Sequence, residues 1–409
     1  MAHPIHQPLD VILSTLDFDE LVGLAQSLVQ IPSVSGREGL AISQFMVDWL
    51  RRHGVEADLQ EISPERANVF ARVEGNRPGP RLLLNGHLDT KPGDTMTIAP
   101  YSGEVRDGRL WGRGSCDMKG PVAAMMVATA ALAQHKDLFS GTLLFGSEVG
   151  EDGGGWKFEE LVAGPCQCDL GICGEPTNLA VHVGCRGSFP LKIRTLGLAT
   201  HTGTAYEGIN AIQKMCSVIP VLYALPCFHQ EDPIWGRPPI NAMIIRGGGK
   251  VSASVPDECE VQFDIRLNPT LPPERLAGLV DATLANLQQA DPELKLEVLT
   301  DWKANGRHYH SLPASEISPT HPLVTTVVDA LTPILGQRPK LAGFPGGCSA
   351  SIMLRRGIPA LIFGPGDLHQ AHSVDEWLDL EQLRIGCRGY VAIALRLLSV
   401  PTFAGSEPA

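Results

Sequence analysis

Basic charge is scarce in this chain. Lys and Arg number 33 against 45 Asp and Glu, which leaves a net charge of −12. Such a surface offers no electrostatic footprint for the phosphates of nucleic acid or for an anionic membrane. Long apolar runs are missing too: none reaches the roughly 20 residues of a bilayer-spanning helix. The opening residues, MAHPIHQPLDVILSTLDFDE, lack the basic stretch and apolar core of an export signal, so a cytoplasmic protein is expected. The 10 cysteines show no paired CxxC spacing, and a chain this long needs no disulfide staples, so reduced thiols are expected. Cys166, Cys168 and Cys173 cluster locally and read as small buried hydrophobes rather than as a metal site. No G-x-S-x-G elbow is present, and WGRGSCD, residues 111–117, is neither that nor a G-x-G-x-x-G cofactor loop. Internal repeats, low-complexity segments and charge blocks are likewise missing.

What is present is the composition of a globular enzyme, 44% hydrophobic and 19% charged. Its 409 residues exceed what one core usually organises, which predicts two domains. Helical periodicity marks residues 17–30 and 37–52, the second with Ile42, Phe45, Met46 and Trp49 on one stripe. Short apolar runs, RLLLNGHLD, GTLLFGS, CDLGIC and IPALIFGPG, are each closed by Gly, Asp, Asn or Pro and read as strands buried on both faces. The helix GPVAAMMVATAALAQ between the first two gives βαβ alternation. From 187 to 303 the order becomes β-α-β-β-α-β, that of a ferredoxin-like sandwich. The expected fold is therefore α/β: a mixed, mostly parallel, helix-covered sheet formed by residues 1–186 and 304–409, with a ferredoxin-like α+β insert at 187–303.

Ligands of open parallel sheets gather at the carboxyl ends of the strands. There NGHLDT offers His87 and Asp89, GRGSCDMKG offers Asp117, CGEPT offers Glu175, QAHSVDE offers His372, and SEVGEDGGG offers Glu148, Glu151 and Asp152. Two histidines with several carboxylates make a nitrogen and oxygen donor set suited to zinc, with cobalt or manganese as substitutes. One ion needs only three such ligands, so five segments that each offer one or more argue for two ions about 3.5–4 Å apart sharing a carboxylate.

These motifs, in this order and over nearly the whole chain, resemble the M20 family of metallo-amidohydrolases and peptidases, which contains acetylornithine deacetylase, succinyl-diaminopimelate desuccinylase and glutamate carboxypeptidase. The resemblance implies a zinc-exopeptidase-like catalytic domain and an insert that acts as lid and dimerisation domain. It implies that His87 and His372 each hold one metal, that Asp117 bridges both, that Glu175 binds beside one, and that Asp89 hydrogen-bonds the His87 imidazole. The family's general base and remaining ligand are normally Glu-Glu, which residues 144–155 lack. In one register Glu148 is the ligand and Ser147 occupies the base position; in the other Glu151 is the base and Asp152 the ligand. Spacing favours the second, since 34 residues separate Asp117 from Glu151 and 23 separate Asp152 from Glu175. Glycines 153–155 would then let the backbone approach closely enough for the shorter Asp.

In the insert, GLATHTGTAYEGINAI resembles the family segment whose histidine, here His201, reaches a partner's active site to stabilise an oxyanion; a homodimer follows. Asn241 and Arg266 fall where relatives contact substrate. Two departures bear on substrate: Ala253 replaces a usual Asn, and FPGGCSAS, with Cys348, Ser349 and Ser351, replaces a segment that ends in Arg. The resemblance implies hydrolysis of an amide bond in a small N-acyl amino acid or related compound. Alternatives within it are a dipeptidase or carboxypeptidase, a catabolic aminohydrolase on a non-amino-acid substrate, and a metal-binding homologue that has lost hydrolysis.

Overall fold

The short apolar runs become neighbours in one sheet. The computed structural model describes residues 6–154, 157–249, 251–304 and 307–399, so Gly155 of the triple glycine and the first five residues lie outside the described residues. The chain divides into two compact units, one of Met1–Gly184, Glu316–Phe344 and Cys348–Ala409, the other of Cys185–Ser315 with Pro345–Gly347. The second unit runs past the expected boundary at 303 because the returning chain is tied to its first strand, where Ser188 and Leu312 exchange backbone hydrogen bonds of 2.9 and 2.8 Å.

In the first unit, strands β1 (Glu56–Ser63), β2 (Arg66–Glu74), β3 (Arg81–His87), β4 (Thr142–Glu148), β5 (Leu170–Cys173) and β6 (Val181–Cys185) join the strand Ala360–Ile362 in the order β1-β2-β4-β3-β5-(360–362)-β6. The pairs β3 with β4, β3 with β5 and β5 with 360–362 are parallel. The flanking pairs β1 with β2, β2 with β4 and 360–362 with β6 are antiparallel. The sheet is thus mixed, with its parallel part at the centre, where both faces are covered. Helix α1 (Phe18–Gln30) is capped by Asp17, which accepts from the N–H groups of Asp19 and Glu20. Helix α2 begins at Leu40 and ends at Arg52, three residues later than the periodicity suggests; Glu38 is instead engaged by Arg66 at 2.5 and 2.8 Å. Helix α3 (Gly120–Ala133) is buried along residues 120–132 and so shows no polar stripe; its alanines let it lie between α1, the helix Leu380–Leu398 and the sheet. Register places His87 opposite Glu148 at the carboxyl ends of β3 and β4, so the elements with the most burial present the polar tips.

The second unit carries strands β7 (Gly187–Leu196), β8 (Ile240–Gly248), β9 (Glu258–Leu267) and β10 (Lys295–Leu299) in the antiparallel order β8-β9-β7-β10, with helices α4 (Ala211–Tyr223) and α5 (Pro273–Ala290). Alternate burial along β7 gives it one core face. Leu191, Ile193, Met215, Val218, Phe263, Leu276 and Val280 fill that core. Strand β8 is an edge, and its Met243, Ile244 and Ile245 are exposed. Among the described residues, no helix is long and apolar enough to cross a membrane.

Candidate metal centre

His87 closes β3 and is buried, its ring fixed at both nitrogens: Nδ1 lies 2.8 Å from the Asp89 carbonyl, and Nε2 lies 3.1 Å from Asp117 Oδ1. The resemblance implied that Asp89 hydrogen-bonds this imidazole; here its backbone carbonyl makes the contact, with the carboxylate 3.6 Å from Nδ1. The Asp89 carboxylate is turned to a different task, accepting the Ser35 hydroxyl and the N–H groups of Glu151 and Asp152, the last two at 3.1 Å. It thereby pins the turn that follows β4. A Cβ on Gly153 would lie 2.9 Å from the Ser35 Cβ, and Gly150 and Gly154 adopt φ of 83° and 73°, so this turn needs its glycines.

The turn delivers Asp152 to the far side of Asp117. Asp152 Oδ1 lies 2.9 Å from His372 Nε2, which lies 3.2 Å from Asp117 Oδ2. His372 reaches there from a left-handed backbone with φ 59°, uncommon outside glycine and frequent at functional sites. Two groups of donor atoms result, each within 4.8 Å: His87, Asp117 and Glu175, and Asp117, Asp152 and His372. Asp117 belongs to both. Glu151 belongs to neither, and its carboxylate lies 3.9 Å from His87 Nε2. Asp152 Oδ2 is buried with no hydrogen-bond partner, a donor atom left for a cation. The residues present therefore fit a pair of divalent ions.

The electrostatics agree. Burial alone would lower the His87 pKa, but Asp117, Glu151 and Glu175 outweigh it and hold it well above its ordinary value. His372 is pushed up to about 9 by its bonds to Asp117 and Asp152. Burial would raise Asp117, yet the hydrogen bonds of His372 and His87 win and hold it below the usual carboxylate range. Glu151 and Glu175 are both pushed well up, first by burial and then by neighbouring charge. The pocket holds more carboxylate than cation, the imbalance that divalent ions correct.

Glu148 is placed elsewhere. It is buried, with Oε2 accepting from Asn85 Nδ2 at 2.6 Å and Oε1 accepting the Ser349 hydroxyl. It joins none of the donor groups. The FPGGCSAS segment thus has a local explanation: Ser349 satisfies the Glu148 oxygen that Asn85 does not reach. Cys173 groups with Glu175 and Cys348 rather than with Cys166 and Cys168.

Other contributors carried weaker signals. Glu376, the final acid of QAHSVDE, is buried and accepts from Arg113 Nη1 and from the N–H groups of Gly114, Cys116 and Asp117, each at 2.9 Å. It shapes the loop that presents Asp117; its adjacency to His372 was the available sign. Lys91, just after HLDT, donates to the Asp152 carbonyl and lies 3.0 Å from Asp152 Oδ1. In the second unit, His201 is exposed and its Nδ1 accepts from Gly203 N–H at 3.0 Å. Asn241 lies on edge strand β8 opposite Asp264, and Arg266 pairs with that same Asp264 at 3.0 Å.

A mixed α/β sheet with overlapping histidine and carboxylate triads in the loops at its carboxyl edge is the arrangement expected of a metal-dependent hydrolase. Residues 83–396 match the model of peptidase family M20/M25/M40, and the chain belongs to that family. It is 25% identical over 396 residues to N-formyl-4-amino-5-aminomethyl-2-methylpyrimidine deformylase of Bacillus subtilis (strain 168), covering 89% of this chain and 91% of that one. It is 28% identical over 377 residues to acetylornithine deacetylase of Photorhabdus laumondii subsp. laumondii, covering 88% and 92%. In fold it is similar to a tripeptidase from Staphylococcus aureus, with TM-score 0.73 and 20% identity over 94% of this chain and 99% of that one. It is similar also to a dinuclear metal-binding M20 peptidase from Bacillus subtilis, with TM-score 0.65 and 15% identity over 93% and 98%. The protein is a hydrolase of amide or peptide bonds in a metal-dependent family.

Proposed function

We propose that the protein uses two metal ions to remove the acyl group from a small N-acyl amino acid or related amide, in the manner of an acetylornithine deacetylase. One observation carries this reading: two donor triads share Asp117, while Glu151 stands beside them unused as a ligand. His87 and Glu175 would hold one ion and Asp152 and His372 the other, with Asp117 belonging to both donor groups. Zinc suits these donors, and cobalt or manganese can replace it. When bound, the ions polarise the scissile carbonyl and acidify water.

Glu151 takes the proton of the attacking water and returns a proton to the leaving amine. Its position supports this role: it lies 3.9 Å from His87 Nε2 yet belongs to neither donor group. Asp89 orders the Glu151 and Asp152 backbone, and its carbonyl keeps Nε2 of His87 turned toward the metal. The second unit acts as a lid that pairs with a second copy: β8 offers an unpaired edge with Met243, Ile244 and Ile245 exposed. From there His201 stabilises the oxyanion in the partner's site, and Asn241 and Arg266 contact substrate.

A second substrate reading, an aminohydrolase acting on an amide that is not an amino acid, is favoured by FPGGCSAS. The segment has no basic side chain, and Ser349 is bound to Glu148. The test is amine release from N-acetyl, N-formyl and N-succinyl amino acids, dipeptides and neutral heteroaromatic amides, with zinc, cobalt or manganese and with a chelator control. Metal-dependent turnover confined to acyl amino acids upholds the first reading, and turnover confined to neutral amides selects the second. Dipeptide cleavage alone makes the protein a dipeptidase. Turnover that survives the chelator in metal-stripped protein overturns the dinuclear mechanism.

A further inference from the structure

The two donor triads are unequal in one respect. Asp152 Oδ1 faces two cationic side chains, His372 Nε2 at 2.9 Å and Lys91 Nζ at 3.0 Å. Lys91 also donates to the Asp152 backbone carbonyl, so its head is tethered to this residue twice. Among the described residues no lysine or arginine pairs with Asp117 or Glu175; Asp117 pairs with the imidazoles of His87 and His372. The nearby Lys119 is turned away, its Nζ donating to the Ile31 carbonyl at 2.6 Å.

Imidazole and ammonium respond differently to an arriving ion. His372 offers a ring nitrogen that can serve as a ligand. The Lys91 side chain presents N–H donors and no acceptor, so it competes with an ion for Asp152 instead of helping to bind it. Its side chain is 34% exposed, which screens its repulsion of a cation but does not remove it at a separation of a few ångströms. It also occupies Oδ1, while Oδ2 is buried without a hydrogen-bond partner.

Resting on the dinuclear reading above, we propose that Lys91 is an internal competitor for the cation at Asp117, Asp152 and His372, making that position the weaker and more exchangeable of the two. Activity then follows free metal concentration, because one position is filled at low metal and the other only at higher metal. The same tether holds the turn that carries Glu151, so Lys91 is a positioning residue with an electrostatic cost to metal binding.

The experiment titrates metal-stripped full-length protein with Co2+ or Zn2+, counting bound ions by native mass spectrometry and following cobalt absorption. It compares wild type with Lys91→Met, which keeps the length without the charge, and with Lys91→Arg, which keeps the charge. The expected result is a second ion bound at least tenfold more tightly in Lys91→Met, with the first ion unchanged and Lys91→Arg like wild type. Wild type taking one ion where Lys91→Met takes two gives the same answer. If all three bind two ions with unchanged spacing of affinities, or if Lys91→Met weakens the second ion, the competitor role is overturned while the dinuclear reading stands. If none binds more than one ion, both fall.

Discussion

Asp152 is one methylene shorter than the glutamate that the M20 resemblance puts at the second ligand position, and the turn that carries it is held by Gly150, Gly153 and the N–H bonds to Asp89. Replacing Asp152 by Asn should therefore remove one ion per chain and leave the other, as metal analysis by mass spectrometry will show. Glu148→Gln should keep both ions, because the Glu148 carboxylate is bound by Asn85 and Ser349 and belongs to neither donor group. The reverse pattern would return Glu148 to the ligand position. Glu151→Gln should retain both ions and lose about 10³-fold in kcat, the scale of a positioned general base; unchanged kcat would exclude Glu151 from proton transfer. His87, Asp117, Glu175 and His372 were legible because each closes a strand or loop in a motif that names its own chemistry. Lys91 and Glu376 were not, because their meaning lies in partners 61 and about 260 residues distant in sequence. Nothing local says which acid a lysine will meet.

Among elements, the junction between β3 and the turn after β4 decides the site's geometry. Apolar runs and their terminators gave the strands, since parallel pairing buries both faces and leaves polarity only at the tips. The hydrogen-bonding task of Asp89 was not legible, because side chain and carbonyl of one residue look alike in sequence and serve different neighbours here. The turn also admits little change. Gly153→Val should drive a side chain into Ser35, displace Asp89 and weaken metal retention at least tenfold, while the melting temperature of the metal-free protein moves by only a few degrees. Metal retention in a chelator competition, set beside a thermal scan, separates these effects. A large loss of thermal stability with normal metal retention would show that the turn supports the fold rather than the site.

For the whole molecule, acid sensitivity has an identifiable source besides the metal centre. His182 on β6 is buried, and burial, aided by Lys340, pulls its pKa from 6.5 to about 4. The unfolded chain therefore takes up a proton that the folded one refuses, and stability present above about pH 6.5 is lost as pH falls toward 4. Between pH 7 and 5 this amounts to about 2 kcal/mol. Urea unfolding of wild type and His182→Gln at both pH values should show the variant losing less by that amount, and equal losses would remove His182 as the cause. Assembly is tested by sedimentation: a dimer that Ile245→Asp converts to monomer agrees with pairing through β8, and an unaffected dimer places the contact elsewhere. Finally, Asp117 takes its shape from Glu376, and one donor triad is complete only with His372. During synthesis, the last donors leave the ribosome more than 200 residues after His87 and Asp117 do. A chain interrupted before residue 372 lacks the second triad, so a complete set of donors certifies that translation passed that residue.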